Sequence, residues 1–436
     1  MIYTLLLAFC VLCPVASYRR FRNPLHPHFI FTMSWIFLLP LSAVVSPSVP
    51  EYVLDLPYMD AQKLTKEHLL VLGVLFALFM ATLLLPQPAF QTTYRGIATS
   101  LRLIKRNATI LGAVGLGILG LELGKQLYSC EWSIGLWYEY SIGPRFFRPW
   151  LGGYIGGSDF ILTFIGNIFF ASSLILPLAL VGTRGVMRTA VACGELITLF
   201  ILFCNGSRTT VALTLLVLAL LWQFFAPNGL ARLAGHLVLA ATLVVMTSVM
   251  VNYRQMGYAS SLAPDVERRE IPYSQDDNYY RLIRIMYLAD VGATPNWDAA
   301  SFLTASFVNP IPRYYWPNKP LLTPEFFGDW KVSIVTVSYF GECIAMFGKW
   351  FGLACAFLFG LAYYQLLLRA YRLVTREFGV AAYLATCFYV YMAERSIQNV
   401  GMNAVFLMFV MGLYYWFQQP ATPAGGRAAW GVSGPT

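Results

Sequence analysis

Apolar runs long enough to cross a lipid bilayer recur along almost the whole chain. A helix needs about 20 apolar residues to span the hydrocarbon core, and runs of roughly that length begin near the N-terminus and continue to about residue 417. Hydrocarbon offers the backbone no hydrogen-bonding partner, so continuous apolar runs of this length must be helical. The sequence therefore predicts an all-α, polytopic transmembrane protein.

The composition argues against a sizeable soluble domain. Hydrophobic residues make up 58% of the 436-residue chain and charged residues only 12%, whereas soluble domains carry about 25% charged residues. The net charge of +9 is therefore interpreted as a sign of membrane topology and lipid contact, and nucleic-acid binding is not expected. The histidines, cysteines and aspartates lack metal-ligand spacing, so neither a metal nor another cofactor is expected.

The pattern predicts about 11 spans. They cover residues 2–17, 29–46, 69–86, 108–124, 159–181, 187–204, 209–226, 234–251, 350–368, 378–393 and 400–417. Four regions follow from this division. An N-terminal bundle of about eight spans covers 1–251, a long loop covers 252–349, about three further spans cover 350–417, and a Pro/Gly/Ala-rich tail at 418–436 is predicted to be disordered.

The distribution of basic residues predicts the orientation. Arginine follows the first apolar run instead of preceding it, so that run is interpreted as a retained span and not as a cleavable signal peptide. The short loops at 18–28, 87–107, 182–188 and 369–377 are rich in arginine and fall on one side, which the positive-inside rule makes cytoplasmic. The N-terminus and the loops at about 125–158 and 252–349 are then expected outside the cytoplasm, and the C-terminus inside.

The loop at 252–349 holds three notable stretches. Residues 278–288 carry apolar residues at helical spacing and are predicted to form an amphipathic helix on the membrane surface. Residues 330–347 are mildly apolar and are interpreted as a half-helix that dips into the protein. Residues 307–320, FVNPIPRYYWPNKP, cannot form a helix because their prolines remove donors and clash with the preceding turn.

Cations recur on the predicted outer face, where the positive-inside rule disfavours them. They are Arg208, Arg254, Arg313, Lys319 and Arg395. The arginine fork matches phosphate oxygens, so the set is interpreted as a binding site for a pyrophosphate attached to a lipid. The alternative is that each arginine extends to ordinary lipid headgroups.

Aromatic and acidic residues add two further hypotheses. Tyr315 and Trp316 lie between prolines and are interpreted as sugar-binding, the alternative being an interfacial aromatic belt. Glu342 and Glu394 are flanked by apolar sequence, so burial is expected to raise the pKa of each carboxyl and to suit it to proton transfer. The alternative is a structural ion pair, for example between Glu394 and Arg395.

Together these features resemble the Wzy-type oligosaccharide repeat-unit polymerases, the O-antigen polymerase family. The layout is similar over roughly residues 1–417. The matching motifs are Gly206-Ser207-Arg208, PRYYWPNKP at 312–320, Gly341-Glu342 and Phe347-Gly348.

The resemblance implies a GT-C-like glycosyltransferase of the bacterial inner membrane, with a periplasmic N-terminus, active face and long loop. It implies that a growing glycan on undecaprenyl pyrophosphate is transferred to an incoming lipid-linked repeat unit, with a Wzz-type chain-length regulator as the usual partner. The five outer cations would bind the pyrophosphate, with Arg313 also counted as catalytic because it stabilises the leaving group. Glu342 or Glu394 would orient or deprotonate the acceptor hydroxyl.

Other functions stay open at this stage. An O-antigen ligase would use the same donor and a similar fold, but the known ligases rely on an outer-loop histidine and this chain has none after His236. A transporter or flippase for lipid-linked oligosaccharide would line a path across the membrane with charges, whereas the notable charges here gather on one face. An anion-binding scaffold would bind the lipid without turnover.

Overall fold

The computed structural model describes most of the chain. The described residues are 2–45, 53, 60–86, 90–143, 148–150, 159–205, 208–225, 229–256, 278–292, 298–308, 338–397 and 399–418.

Every regular element in these ranges is a helix, which confirms the all-α class. The α-helices are α1 (Ile2–Phe21), α2 (Pro27–Leu38), α3 (Pro40–Val45), α4 (Ala61–Leu84), α5 (Phe90–Ser129), α6 (Ile134–Ile142), α7 (Asp159–Leu180), α8 (Gly185–Cys204), α9 (Arg208–Phe225), α10 (Gly229–Met256), α11 (Asn278–Asp290), α12 (Ala299–Val308), α13 (Ser338–Phe347), α14 (Lys349–Tyr371), α15 (Gly379–Arg395) and α16 (Asn399–Gln418). A short 3₁₀ turn at Arg372–Thr375 follows α14.

Helices lie at all of the predicted spans, as expected for a helical membrane protein. Within the described residues, 5 helices are long and apolar enough to cross a membrane by length and composition. They are Ile2–Phe21, Gln62–Leu84, Ala98–Ser129, Gly185–Cys204 and Lys349–Thr375. Shorter apolar helices lie between them, and the number of about 11 spans stays a prediction.

Two spans differ in shape from their predictions. The span at 29–46 is broken, because α2 ends at Leu38 and Pro40 begins α3. Proline lacks a backbone N–H and crowds the preceding turn, which favours a break at this position. Helix α5 has 40 residues and is therefore about 60 Å long. That length is about twice the hydrocarbon thickness, so α5 extends well beyond the predicted span at 108–124.

Helix ends predicted on the cytoplasmic side meet in the structure. Asn23 Nδ2 donates to Tyr371 Oη at 3.1 Å, and Tyr383 Oη donates to the Leu25 carbonyl at 2.7 Å. We call this the arginine-rich face, because it carries the arginines of 19–22 and 369–376.

The opposite helix ends also meet, and they form what we call the loop face, which carries α6, α11 and α13. The hydroxyls of Tyr3 and Tyr280 lie 3.1 Å apart, and His68 Nδ1 lies 2.8 Å from Tyr279 Oη. The alternation of helix directions therefore agrees with the predicted topology. The membrane side that each face occupies stays a prediction.

Helix α11 is present where the sequence predicts it, but its predicted location on the membrane surface is wrong. Nine of its residues are buried, and they lie on all sides of the helix: Asn278, Tyr279, Tyr280, Arg281, Leu282, Ile283, Ile285, Met286 and Tyr287. It packs against α4, α13 and α14. The physical reason is that aromatic and aliphatic side chains occupy both of its faces, so neither face suits water.

The half-helix predicted at 330–347 is observed in part. Helix α13 covers Ser338–Phe347, with its residues buried through Ala345. Residues 330–337 lie outside the described part of the chain.

Two buried histidines lie in the turn between α1 and α2. His26 caps α2, because its Nδ1 accepts from the His28 backbone N–H at 3.2 Å, and its ring stacks on Phe21 at 3.8 Å between centroids. His28 Nδ1 lies 2.8 Å from Ser17 Oγ. Burial lowers the pKa of His26 to about 3 and that of His28 to about 4. Both rings are therefore neutral at physiological pH.

We expect these two histidines to contribute a loss of stability in mild acid. The unfolded chain gains a proton on each histidine as the pH falls through about 6.5, whereas the folded state does not. Their contribution is therefore complete above about pH 6.5 and is lost by roughly 1 kcal/mol per histidine at pH 5.5. A carboxyl whose pKa is raised by burial, such as Glu342, acts in the opposite direction, so the comparison is made with a variant that lacks both rings. Between pH 7.5 and 5.5 the wild type should lose more stability, or gain less, than His26→Asn/His28→Asn in thermal unfolding in detergent, and equal changes in both proteins would contradict the expectation.

Candidate functional site

The side chain of Glu342 joins α13 to the turn between α15 and α16. One carboxylate oxygen accepts from Ser396 Oγ, and the other accepts from the Ile397 backbone N–H at 2.6 Å. Burial raises the pKa of the Glu342 carboxyl to about 8, although both hydrogen bonds oppose the rise. Both oxygens are thus used, and the contact fixes the backbone directly after Arg395.

Arg395, one of the predicted pyrophosphate ligands, is the last residue of α15 and is half-buried. The partial negative charge of a helix C-terminus favours a cation there. The next residue, Ser396, caps the helix through its N–H to the Met392 carbonyl at 3.2 Å and also binds Glu342. The structure therefore places this cation on a rigid support at the loop face.

Glu394 lies next to Arg395 in sequence but does not pair with it. The side chain is 1% exposed, and neither carboxylate oxygen has a hydrogen-bond partner among the described residues. The Ser34 hydroxyl lies beside it but donates to the Phe31 carbonyl at 2.8 Å. The Tyr339 hydroxyl, within electrostatic reach, is also buried without a partner in the described chain. Buried polar groups are normally satisfied, so this acid calls for an explanation.

Arg148, which the sequence analysis does not single out, joins α6 to the C-terminal end of α8. Its guanidinium donates to the carbonyls of Tyr140 at 3.1 Å, Ser141 at 2.8 Å and Gly143 at 3.2 Å, and to Asn205 Oδ1 at 3.0 Å. The side chain is buried. The carbonyls belong to the end of α6, and Asn205 caps the end of α8. Because both helix ends carry partial negative charge, one cation stabilises both.

Two predicted cations lie at neighbouring helix ends on this face. Arg208 is the first residue of α9, and Arg254 lies in the last turn of α10. These helices pack on each other, and at their opposite ends Trp222 Nε1 donates to the Ala231 carbonyl at 2.8 Å. The backbones of Arg208 and Arg254 are therefore on the loop face, while their side chains lie outside what the structure describes.

The remaining predicted site residues lie outside the described part of the chain. They are Arg313, Lys319, Tyr315 and Trp316. Their roles stay predictions.

Two further cations of the loop face lie in α11, and the sequence analysis did not count them as site residues. Arg281 is 9% exposed and Arg284 is half-buried. Residues three apart share a helix face. This spacing of two arginines within an otherwise apolar helix is the signal that the sequence offers for them.

An ionic cluster, in which Lys349 and Glu67 are buried and Asp290 is exposed, holds α11 in place. Lys349 Nζ lies 2.6 Å from Glu67 Oε1 and 2.5 Å from Asp290 Oδ2. These residues connect the start of α14, the first turns of α4 and the end of α11. The two acids engage the Lys349 ammonium, so its role is structural.

Comparison with protein-family models, with curated proteins and with solved structures finds no match to this chain.

Alanine at the two buried acids should have unequal effects. Glu342→Ala leaves the buried Ile397 N–H without its acceptor, at a cost of about 1–3 kcal/mol in addition to the loss of packing that both truncations share. Glu394→Ala removes a carboxyl whose oxygens have no hydrogen-bond partner among the described residues, so it should be the less destabilising of the two. Thermal unfolding of both variants in detergent checks this difference. Equal losses would show that Glu342 is not the structural member of the pair.

Removing the Lys349 ammonium should be strongly destabilising. In Lys349→Met the buried Glu67 carboxylate is left without its cation, at a cost of about 3–5 kcal/mol, and the exposed Asp290 adds little to this loss. The triple variant Lys349→Met/Glu67→Gln/Asp290→Asn removes the uncompensated charge and should recover most of that loss. Thermal unfolding provides the measurement. A triple variant no more stable than the single variant would argue against an ionic cluster.

Proposed function

We propose that this chain polymerises lipid-linked oligosaccharide repeat units of an O-antigen or a related surface polysaccharide. In this proposal it transfers the growing glycan from undecaprenyl pyrophosphate to an incoming lipid-linked unit, on the periplasmic face of the bacterial inner membrane. The supporting observation is that Arg208, Arg254 and Arg395 all lie at helix ends of one face, with Arg395 held by the Glu342 contact.

The reaction explains why cations would be needed at that face. The bond between the anomeric carbon of the donor glycan and the pyrophosphate breaks, and an acceptor hydroxyl forms the new glycosidic bond. The hydroxyl proton leaves, and the pyrophosphate departs with increased negative charge. Preorganised arginines lower the energy of that charge in the transition state. Their fork geometry also suits the phosphate oxygens.

The structure favours different roles for the two predicted acids. Both oxygens of Glu342 are engaged by Ser396 and Ile397, so in this proposal Glu342 positions Arg395. Both oxygens of Glu394 lack partners among the described residues, so Glu394 is the better candidate to accept the acceptor proton. General bases of this kind need a proton within hydrogen-bonding distance.

The proline-rich stretch would complete the site. It precedes α13, which the Glu342 contact holds at the loop face. In the proposal Arg313 and Lys319 join the cations around the pyrophosphate, and Tyr315 and Trp316 hold sugar rings. A GT-C-like arrangement of about 11 spans and a chain-length regulator of the Wzz type as partner belong to the same proposal.

One observation favours a second candidate, a flippase for the lipid-linked unit. Glu195 lies in the middle of α8, is 5% exposed, and has no hydrogen-bond partner for either oxygen among the described residues. An ionisable residue within a span is a common mark of a transport path. This carboxyl is a single group, whereas the loop face gathers several cations, so polymerisation is the better-supported function.

Arg395→Ala should abolish polymer formation, because it removes a cation that stabilises the leaving group. Loss of one such group lowers rates by about 100-fold or more. The measurement is the glycan ladder of a deletion strain complemented with each variant at matched protein levels. Wild type and Arg376→Ala, an exposed arginine on the opposite face, should restore the ladder. Arg395→Ala should leave a single repeat unit, with Arg395→Lys intermediate.

Other outcomes point elsewhere. A full ladder with Arg395→Ala would remove this residue from the site. A deletion strain that still makes lipid-linked polymer but cannot attach it to lipid A core would indicate a ligase. Repeat units that stay on the cytoplasmic side in the deletion strain and in Glu195→Gln would indicate a flippase.

A further inference from the structure

Helix α6 and the turn before it are exposed although many of their residues are apolar or aromatic. Trp132 is 65% exposed, Ile134 71% and Tyr138 54%. Soluble surfaces seldom leave contiguous apolar patches of this kind uncovered. Within the described residues this surface lies at the loop face, directly after the long helix α5.

The backbone conformation of the turn before α6 accounts for this exposure. Helix α5 ends with hydrogen bonds from the Glu131 N–H to the Tyr128 carbonyl at 3.2 Å and from the Trp132 N–H to the Leu127 carbonyl at 2.7 Å. This is the pattern of a Schellman cap. Glu131 and Trp132 have φ values of 53° and 61°, a left-handed conformation that costs roughly 1–3 kcal/mol per non-glycine residue. The turn is therefore specified and is not a frayed helix end.

Contacts on its protein side hold α6 near its middle and at its C-terminal end. Trp137 Nε1 donates to Gln126 Oε1 at 2.8 Å, and Trp137 is the half-buried aromatic of the helix. At the C-terminal end Arg148 binds the carbonyls of Tyr140 and Ser141 at 3.1 and 2.8 Å. The exposed aromatic and aliphatic side chains of α6 thus face away from the protein; they are Ile134, Leu136, Tyr138 and Tyr140.

The exposed surface continues a stripe that begins in the span itself. On α5, Leu121 is 58% exposed and Tyr128 is 57% exposed. An exposed leucine in an apolar span faces lipid, and tyrosine and tryptophan prefer the interface between lipid and water. The order along the stripe is leucine, then tyrosine, then tryptophan, which is the order expected when a chain rises from hydrocarbon to headgroups.

The charge of this surface selects the type of lipid. Helix α6 contains no lysine or arginine, whereas Glu131 and Glu139 are exposed. Helices that bind anionic lipids carry basic residues on their polar side. Attachment here would therefore depend on insertion of aromatic and aliphatic groups, without attraction to anionic headgroups.

We propose that α6 lies in the headgroup region of the bilayer, with Trp132, Ile134 and Tyr138 inserted among zwitterionic phospholipids. Because Arg148 also binds Asn205, the same contact places the C-terminal end of α8, three residues before Arg208, close to headgroup depth. Any lipid-linked phosphate reaching that helix end would therefore meet it at the level of its own headgroup. The lipid contact of α6 is independent of the proposed function.

Depth-dependent quenching tests the proposal on the full-length protein in proteoliposomes. An unnatural fluorescent amino acid replaces Trp132 in one variant and Tyr138 in another. In the matched control variant it replaces Leu121. Leu121 lies eight residues before the end of α5 at Ser129, so it is about 12 Å deeper. Nitroxide lipids labelled at the headgroup should quench positions 132 and 138 at least twofold more than lipids labelled near the acyl terminus. Leu121 should show the reverse order.

The comparison of lipids completes the test. Quenching at 132 and 138 should be equal in pure phosphatidylcholine and in mixtures with phosphatidylglycerol. The proposal is wrong if Leu121 is quenched while 132 and 138 respond only to aqueous iodide, since α6 would then lie in water. It is also wrong if positions 132 and 138 are quenched neither by the nitroxide lipids nor by iodide. The same holds if the nitroxide lipids quench them only when anionic lipid is present. The two labelled positions are independent, so one misfolded variant leaves the other to decide.

Discussion

Buried charge in an otherwise apolar chain is the constraint on which this structure depends. On the loop face Lys125, Arg148, Arg281 and Lys349 are buried, and each buried charge must be compensated by a partner. Lys125 binds Glu122 at 2.6 Å, Lys349 binds two acids, and Arg148 binds helix-end carbonyls. On the arginine-rich face the cations are exposed, Arg102, Arg188 and Arg376 among them. These lysine and arginine side chains are thus buried on the loop face and exposed on the arginine-rich face.

Much of the fold could be predicted because hydrocarbon limits what an apolar run can form. Helices lie where the runs lie, and the arginine-rich loops correctly predict which helix ends share a face. The break at Pro40 was not predicted, since the sequence analysis placed one span at 29–46, and Pro14 and Pro177 show that a proline does not always end a helix here. Helix α11 could not be located in the same way. Its helical spacing is clear, but burial on every side depends on partners such as His68 and Lys349, which are distant in sequence.

The candidate site shows the same limit at the level of single residues. Glu342 and Glu394 look alike in sequence, as each is an acid flanked by apolar residues. What separates them is a contact between Glu342 and Ser396, 54 residues apart, and no local pattern encodes it. Arg148 was missed for a related reason. Its partners include backbone carbonyls, which every residue has, so its structural role leaves no signature in the sequence.

Arg148 and Glu342 have a similar structural role, and that role bears on function. Arg148 binds the side chain of Asn205 at the end of α8, three residues before Arg208, and Glu342 holds the turn after Arg395 through a backbone N–H. In each case a buried side chain holds a helix end that lies close in sequence to a predicted cation. Binding an anionic group then needs only the cation side chain to become ordered, which reduces the entropy cost of association. Electrostatic stabilisation of a leaving group requires such preorganisation, because charges that must reorganise during the reaction contribute much less.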